Sequence, residues 1–225
     1  MSAPTRLTHA GDLYSRPLLP RAAFEPFADD AVWLPDYASQ EAADLLAALQ
    51  PVLAEAPWRH MVTPGGQRMS VAMTNCGQVG WVSDRRGYRY DRINPDCERP
   101  WPAMPPRLRE LAIRAARTAG FDNFSPDACL INRYEPGSRL SAHQDRNERD
   151  LTAPVVSVSL GVPAVFLFGG LNRHDPALRV PLSHGDIVVW GGRNRLAFHG
   201  VSKLNEAEHP LTGRCRINLT FRKAL

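Results

Sequence analysis

Apolar and polar residues follow two different rhythms along this chain, and the change of rhythm divides it. From Gln40 to Ala54, Leu45, Leu46, Leu49, Val52 and Leu53 recur at helical spacing and form one apolar stripe. Ser39 is placed to cap this helix, and Glu41 falls in its positive first turn. A second helix is predicted from Pro106 to Ala119, with proline suited to the first turn, Leu108, Leu111 and Ile113 as core contacts, and Gly120 as a left-handed stop. Between the helices, Thr63 to Trp101 is rich in Gly, Met, Tyr and Trp, with a turn at Pro64-Gly65-Gly66 and a strand over Met69–Thr74. Beyond Gly120 the period falls to two. Short strands are separated by turns at Pro136-Gly137, Gly161-Val162-Pro163, Gly169-Gly170, His184-Gly185-Asp186 and Gly191-Gly192, a spacing that suits a barrel or jelly roll. Residues 1–25 lack periodicity and are expected to be a loose tail.

The last strand is the most informative. Over Arg214–Arg222, alternation puts Cys215, Ile217, Leu219 and Phe221 on one face, and Arg216, Asn218, Thr220 and Arg222 on the other. Alone, this is also the pattern of an antiparallel strand with a solvated polar face. The strand Cys129–Tyr134 offers a matching set, Leu130, Asn132 and Tyr134. Turned inward together, the two would line a barrel with guanidinium, amide and phenol groups, a suitable cage for a dicarboxylate.

Composition narrows the picture a little. A length of 225 residues fits one domain with a sizeable core, and 20 prolines argue against a mainly helical architecture. Net charge is +4, compatible with a polyanionic partner but common without one. Cys76, Cys97, Cys129 and Cys215 lie far apart with no C-x-x-C pair, which suggests free thiols. No charged stretch followed by an apolar run opens the chain. The most apolar segment, Val155–Leu171, is interrupted by Ser157, Ser159, Gly161 and Pro163 and suits a strand pair better than a membrane span. A soluble, cytoplasmic protein is expected.

His143-Gln144-Asp145 puts an imidazole and a carboxylate two residues apart, on one side of an extended segment. Such pairs arise by chance, and a lone His199 in the apolar Leu196–Gly200 segment would ordinarily be a hydrogen-bonded core histidine. Together His143, Asp145 and His199 form a 2-His-1-carboxylate set, the usual signature of non-haem Fe(II) oxygenases. A zinc hydrolase would also use open coordination sites, but it would leave Arg216 and Arg222 without a clear role. His174, His184 and His209 sit beside turns and are set aside.

The stretches Met61–Gly66, Met69–Gly77, Pro100–Pro105, Pro126–Tyr134, His143–Asp145, Val156–Gly161, Phe168–Gly170, His184–Gly192 and Asn218–Arg222 resemble, in order, those of the bacterial AlkB family. These are 2-oxoglutarate-dependent nucleic-acid repair demethylases, and the similarity spans about residues 30–223. It implies a mainly β, double-stranded β-helix (a cupin-like jelly roll) with helices outside. The implied layout is one dioxygenase domain over 26–225, with a nucleotide-recognition lid at about 60–100 and the jelly-roll core at about 125–225. It implies Fe(II) on His143, Asp145 and His199, and 2-oxoglutarate held at its distal carboxylate by Arg216 with Tyr134 and Asn132. Asn218 and Arg222 would lie near the metal-bound end, and O₂ would be the oxidant.

The reaction so implied removes N-methyl groups of the 1-methyladenine and 3-methylcytosine type from DNA, with RNA as a second candidate, and releases formaldehyde and succinate. A flipped base would lie between Trp81 and His143, Tyr88 would touch the flanking phosphate, and Thr63, Met69 and Met73 would line the lid. Ser141, Arg139, Arg146 and Arg173 are candidates for backbone contact. Without the family, Met69 and Met73 read as core filling, Trp81 and Tyr88 as packing under the lid, and the arginines as solvated surface. Single-stranded methylated DNA, no membrane, no obligate protein partner and a monomeric state are expected. Two departures bear on lesion choice: Asn147 stands where an acidic residue is expected, and Gln67 where an aromatic one is. The alternatives are a same-fold oxygenase acting on a protein or small molecule, and a non-catalytic nucleic-acid-binding module.

Overall fold

In the computed structural model, which describes residues 25–225, β1 (Glu25–Ala28) and β2 (Ala31–Leu34) precede helix α1 (Ala42–Glu55). The predicted 1–25 tail falls almost wholly outside the described residues. Next come β3 (Ala72–Gly77), the hairpin β4 (Gly80–Asp84) and β5 (Gly87–Asp91), and the two-residue strands β6 (Ile93–Asn94) and β7 (Arg99–Pro100). Helix α2 (Pro106–Thr118) leads into β8 (Ala128–Tyr134), β9 (Leu140–His143), β10 (Val155–Gly161) and β11 (Ala164–Phe168). The chain closes with β12 (Leu178–Leu182), β13 (Ile187–Trp190), β14 (His199–Val201) and β15 (Arg216–Arg222).

Two large antiparallel sheets result, beside the two-stranded pairs β4–β5 and β6–β7. The larger runs β1-β2-β13-β10-β15-β8-β3 and the smaller β12-β11-β14-β9. Strands β8 to β15 thus divide four and four between the sheets, the double-stranded β-helix that was expected. Each predicted turn beyond Gly120 falls between strands, except that Gly161 is the last residue of β10. At Gly161 glycine is required: φ is +92°, and a Cβ would stand 2.5 Å from the Cys215 carbonyl oxygen.

The alternation of the large sheet sorts its residues onto two faces. Cys129 and Ile131 of β8, Val156, Val158 and Leu160 of β10, and Ile217, Leu219 and Phe221 of β15 pack against the helices. Leu45, Leu49 and Val52 of α1 and Leu108 and Leu111 of α2 meet them there, each such burial being worth about 1.5–3 kcal/mol. The alanines Ala112, Ala115 and Ala116 bring α2 close to the sheet. Ile113 is half-buried rather than in the core.

The opposite face of the same strands looks toward the small sheet. There Leu130, Tyr134, Val155, Val188 and Trp190 pack with Phe166, Phe168, Val180, Leu182 and Val201. The polar residues Arg216, Asn218, Thr220 and Arg222 lie on this inner side, each 5% exposed or less, so the solvated-face reading of β15 does not hold.

Three local expectations shift. Ser39 does not cap α1: its Oγ donates to the Asp36 carbonyl oxygen (2.9 Å), residues 39–41 form a 3-10 turn, and the helix begins at Ala42. Gly185 packs against Ser39, where a Cβ would come within 2.8 Å of the serine Cβ, and this tertiary contact overrides the capping preference. The strand expected at Met69–Thr74 is observed at Ala72–Gly77, because Ser70 instead exchanges hydrogen bonds with Arg139 (3.0 and 3.1 Å). Cys215 lies before β15, and all four cysteines are free thiols.

Candidate active site

Between the sheets opens a cavity of about 960 Å³, and residues from both sheets and from the 63–90 region line it. Its chemistry starts from one strand register. His143 ends β9 and His199 begins β14, and the two are paired residues in the small sheet. Their rings are 4.4 Å apart. A side chain at Gly200 would meet the Leu140 carbonyl oxygen at 2.6 Å, so a glycine is what lets β14 and β9 approach this closely.

Each histidine is oriented by its own backbone. Nδ1 of His143 lies 2.9 Å from the Ser141 carbonyl oxygen, and Nδ1 of His199 lies 2.9 Å from that of Ala197. A carbonyl only accepts, so Nδ1 is the donor in both rings, which leaves Nε2 as the atom available to a metal. The Nε2 atoms face Asp145, at 3.8 Å from Oδ1 for His143 and 3.7 Å from Oδ2 for His199. One ligand atom from each of the three residues lies within 4.8 Å of the others, close enough for a single metal ion.

Protonation favours such a role. Burial and the neighbouring His143 push His199 down to about 3, against the pull of Asp145. Burial would raise Asp145, but the Arg222 guanidinium and the two histidines outweigh it and hold the carboxyl below the usual carboxylate range. Arg222 donates from Nε to Asp145 Oδ2 (2.7 Å), and its Nη2 lies 2.7 Å from the same oxygen. Arg195 Nη1 holds the Asp145 carbonyl (2.8 Å). Behind them Glu148 takes the Tyr90 hydroxyl (2.6 Å) and pairs with Arg195 (3.2 Å) and Arg222 (3.5 Å).

Deeper along β15 the inner face carries a second feature. Arg216 is 1% exposed, gives one hydrogen bond to Ser159 (2.9 Å), and its guanidinium carbon lies 4.9 Å from the Tyr134 ring centroid. Among the described residues Arg216 Nε and Nη1, Tyr134 Oη and Asn132 Oδ1 have no hydrogen-bond partner. Buried donors are rarely left this way. A fixed planar fork with free N–H groups, beside a phenol, matches a carboxylate.

The residues 30–222 match the model of the 2OG-Fe(II) oxygenase superfamily. Over 200 residues the chain is 56% identical to the alpha-ketoglutarate-dependent dioxygenase AlkB of Escherichia coli, covering 89% of this chain and 93% of that one. The chain belongs to the AlkB family of 2OG-Fe(II) oxygenases. A more distant relative is the tRNA demethylase abh1 of Schizosaccharomyces pombe, 32% identical over 65% of this chain and 53% of that one. Among solved structures, that of OsALKBH1 superposes with a TM-score of 0.78 at 28% identity, covering 89% of this chain and 99% of the other.

The cofactors of an AlkB-family dioxygenase are Fe(II), 2-oxoglutarate and O₂. The residues present fit them: two imidazoles and a carboxylate converge, and orphaned donors wait for a dicarboxylate. Asn218 is already engaged, donating to Ser157 Oγ (2.8 Å) and the Val158 carbonyl (2.9 Å) and accepting from Asn132 (3.2 Å). It braces the cavity wall.

Every side chain singled out from the sequence lines this one cavity, the outer ones being Thr63, Met69, Met73, Trp81, Tyr88, Ser141, Arg146, Asn147 and Arg173. Trp81 stacks on Tyr88 at 5.6 Å with a 14° angle, and its Nε1 donates to Asn147 Oδ1 (3.4 Å). Met73 is 1% exposed and sits in β3 opposite Asn132, so it belongs to the large sheet. Arg173 reaches the Ala142 carbonyl (3.0 Å) and lies over Phe198 (5.1 Å).

Sequence reasoning missed Ser157 and Ser159, although the alternation of Val155–Gly161 would have turned both inward with the polar face of β15. It also missed Glu148, Arg195 and Tyr90. Their partners are 42 to 74 positions away in sequence, so no local pattern signals them.

Proposed function

We propose that this protein oxidatively demethylates N-alkylated bases of the 1-methyladenine and 3-methylcytosine type in single-stranded DNA, with RNA as a second polymer, and that it acts as a monomer. His143, Asp145 and His199 would hold Fe(II). Arg216 would take the distal carboxylate of 2-oxoglutarate with Tyr134 and Asn132 beside it, and Asn218 and Arg222 would border the metal-bound end. Bound together, iron and 2-oxoglutarate supply the activation of O₂ that oxidises the N-methyl group, which leaves as formaldehyde while the cosubstrate becomes succinate and CO₂.

The protein's own contributions are positional. Arg222 keeps Asp145 ionised, and the Ser141 and Ala197 carbonyls orient both imidazoles. A flipped base would enter between Trp81 and the His143 ring, under a lid formed by about residues 60–100. Thr63, Met69 and Met73 would border the base, Tyr88 the flanking phosphate, and Ser141, Arg139, Arg146 and Arg173 the sugar-phosphate backbone.

The observation that carries this reading is the polarity of the cavity from floor to mouth. The floor has the histidine-aspartate cluster and the partnerless guanidinium, and the wall has a stacked Trp81–Tyr88 pair. At the mouth, Arg68, Arg139, Arg146 and Arg173 are exposed and make no ion pair among the described residues. A small-molecule oxygenase has no need of a cationic rim, whereas a polyanion does. The relatives point the same way, one being a tRNA demethylase by name.

The test is anaerobic reconstitution with Fe(II) and 2-oxoglutarate, then admission of air with a single-stranded oligonucleotide bearing 1-methyladenine or 3-methylcytosine. Loss of one methylene unit of mass together with succinate, both abolished by His143→Ala, is the expected result. Succinate without demethylation would overturn the nucleic-acid reading.

A further inference from the structure

A second cavity, of about 320 Å³, lies beside the first and shares Tyr88 and Asn147 with it. Its wall includes Arg89, Arg92 and Arg149, and no aspartate or glutamate. The three arginines differ in how far their charges are taken up. Arg89 gives paired hydrogen bonds to Asp84 (3.1 and 3.0 Å) and lies 3.5 Å from Asp91, so its charge is matched locally. The remaining charge on Asp84 is shared with Arg86 (3.1 Å). Arg92 and Arg149 are both exposed and make no side-chain hydrogen bond or ion pair among the described residues. Ala224 and Leu225 also border the cavity and bring no charged side chain, so an excess of cation remains.

We infer that this second cavity is a binding site for a backbone phosphate of the nucleotide next to the target base, held by Arg92 and Arg149. The inference rests on the nucleic-acid reading above and extends it. A nucleotide whose base enters the first cavity leaves its phosphates outside, and the chain must continue over one lip of the mouth. At the Tyr88–Asn147 lip a second concave, cationic surface begins without a break. Tyr88 is 46% exposed, although its ring stacks on Trp81, so it offers a free aromatic edge between the two cavities. The hairpin β4–β5 carries Trp81 and Tyr88, and the chain runs from its end directly to Arg92. Arg146, at the first mouth, and Arg149, at the second, come from one loop after His143. Two short segments thus supply both the base-side and the backbone-side groups. A phosphate needs no base identity, so the site would position any sequence alike.

The experiment uses the full chain with Fe(II) and 2-oxoglutarate, under anaerobic conditions for binding and in air for demethylation. Two single-stranded oligonucleotides carry 3-methylcytosine, one at its 5′ end and one at its 3′ end, so that the strand continues past the lesion in a single direction. Arg92→Gln/Arg149→Gln is compared with the wild type across a salt series, after equal thermal midpoints have confirmed the variant's fold. For one of the two oligonucleotides, the slope of log affinity against log salt is expected to fall by about 0.7, the contribution of one single-strand phosphate. At 50 mM salt the loss of that phosphate corresponds to about a tenfold weaker affinity. The other oligonucleotide should bind as it does to the wild type. If both slopes are unchanged, or both fall equally through a diffuse loss of charge, the phosphate site is refuted while the demethylase reading stands. If the wild type converts neither oligonucleotide, the demethylase reading falls and takes this site with it.

Discussion

Arg216→Met is expected to stabilise the protein and disable it in one substitution. The guanidinium is 1% exposed, and two of its nitrogens have no partner among the described residues. Each unsatisfied buried donor costs about 1–3 kcal/mol. Replacing a buried ion with an apolar side chain of similar volume has stabilised proteins by about 1–4 kcal/mol. Against this stand the Ser159 hydrogen bond, worth about 1 kcal/mol, and the contact with the Tyr134 ring, worth about 2 kcal/mol when desolvated. The two donors together cost about 2–6 kcal/mol and the two lost contacts about 3 kcal/mol, so the balance centres on a net gain of about 1 kcal/mol, or a few degrees in the melting midpoint for a chain of this length. The assay is thermal unfolding of both proteins with and without 2-oxoglutarate, in the presence of Fe(II) under nitrogen. At a concentration about 100 times its dissociation constant the cosubstrate should stabilise the wild type by about 2.7 kcal/mol, and the variant not at all. The order of the two midpoints therefore reverses when 2-oxoglutarate is added. Two results would refute the reasoning. A variant that melts below the wild type without cosubstrate means the guanidinium carries no uncompensated cost. A variant still stabilised by 2-oxoglutarate means the carboxylate is held elsewhere.

The remaining predictions concern the ligands and the mouth. His143→Ala and Asp145→Ala should both abolish succinate formation. Only Asp145→Ala should lower the unfolding free energy strongly, by about 3 kcal/mol, because it leaves Arg222 with Glu148 at 3.5 Å as its one remaining ion-pair partner among the described residues; equal destabilisation would contradict the pairing. Gly200→Ala places a methyl group against the β9 backbone, 2.6 Å from the Leu140 carbonyl oxygen. It should cost about 1–3 kcal/mol of stability and weaken iron binding measured by anaerobic titration, and an unchanged iron affinity would show that β9 yields freely. Asn147→Asp adds a negative charge beside Trp81 and should shift the ranking of substrates toward cationic 1-methyladenine, as competition between two methylated oligonucleotides would reveal; an unchanged ranking rules out this position as a determinant.

How much of this was legible in the sequence depends on the range of each interaction. The inner and outer faces of β15 were readable because a strand repeats every two residues, and every residue of this strand is buried. Which face was inner was not readable from β15 alone, since polar residues more often face water. The matching faces of β8 and β10 decide it, and they meet β15 only through sheet pairing. The ligand cluster was legible as a set of residue types, because only His143 and Asp145 are near neighbours and His199 had to be added by chemistry. The clamp on Asp145 was invisible: Arg222 is 77 positions away, and nothing about Arg222 distinguishes it from a surface arginine until the fold closes. Ser39 shows the converse, a sound local capping signal overruled by Gly185 packing against it.

One of the presumed iron ligands sits on a frayable strand. β9 is the edge of the small sheet, joined to β14 by two paired positions with an irregularity between them. His143 stands at its end with its side chain 34% exposed, whereas Asp145 and His199 are buried and Asp145 is clamped by Arg222 and Arg195. Edge strands of this kind open at a small fraction of the free energy of global unfolding. Iron would then depart by a stepwise route, with His143 letting go first while two ligands keep their grip. The lifetime of the loaded enzyme would accordingly follow the local opening of β9, which hydrogen exchange at its amides reports, and not how stable the whole fold is.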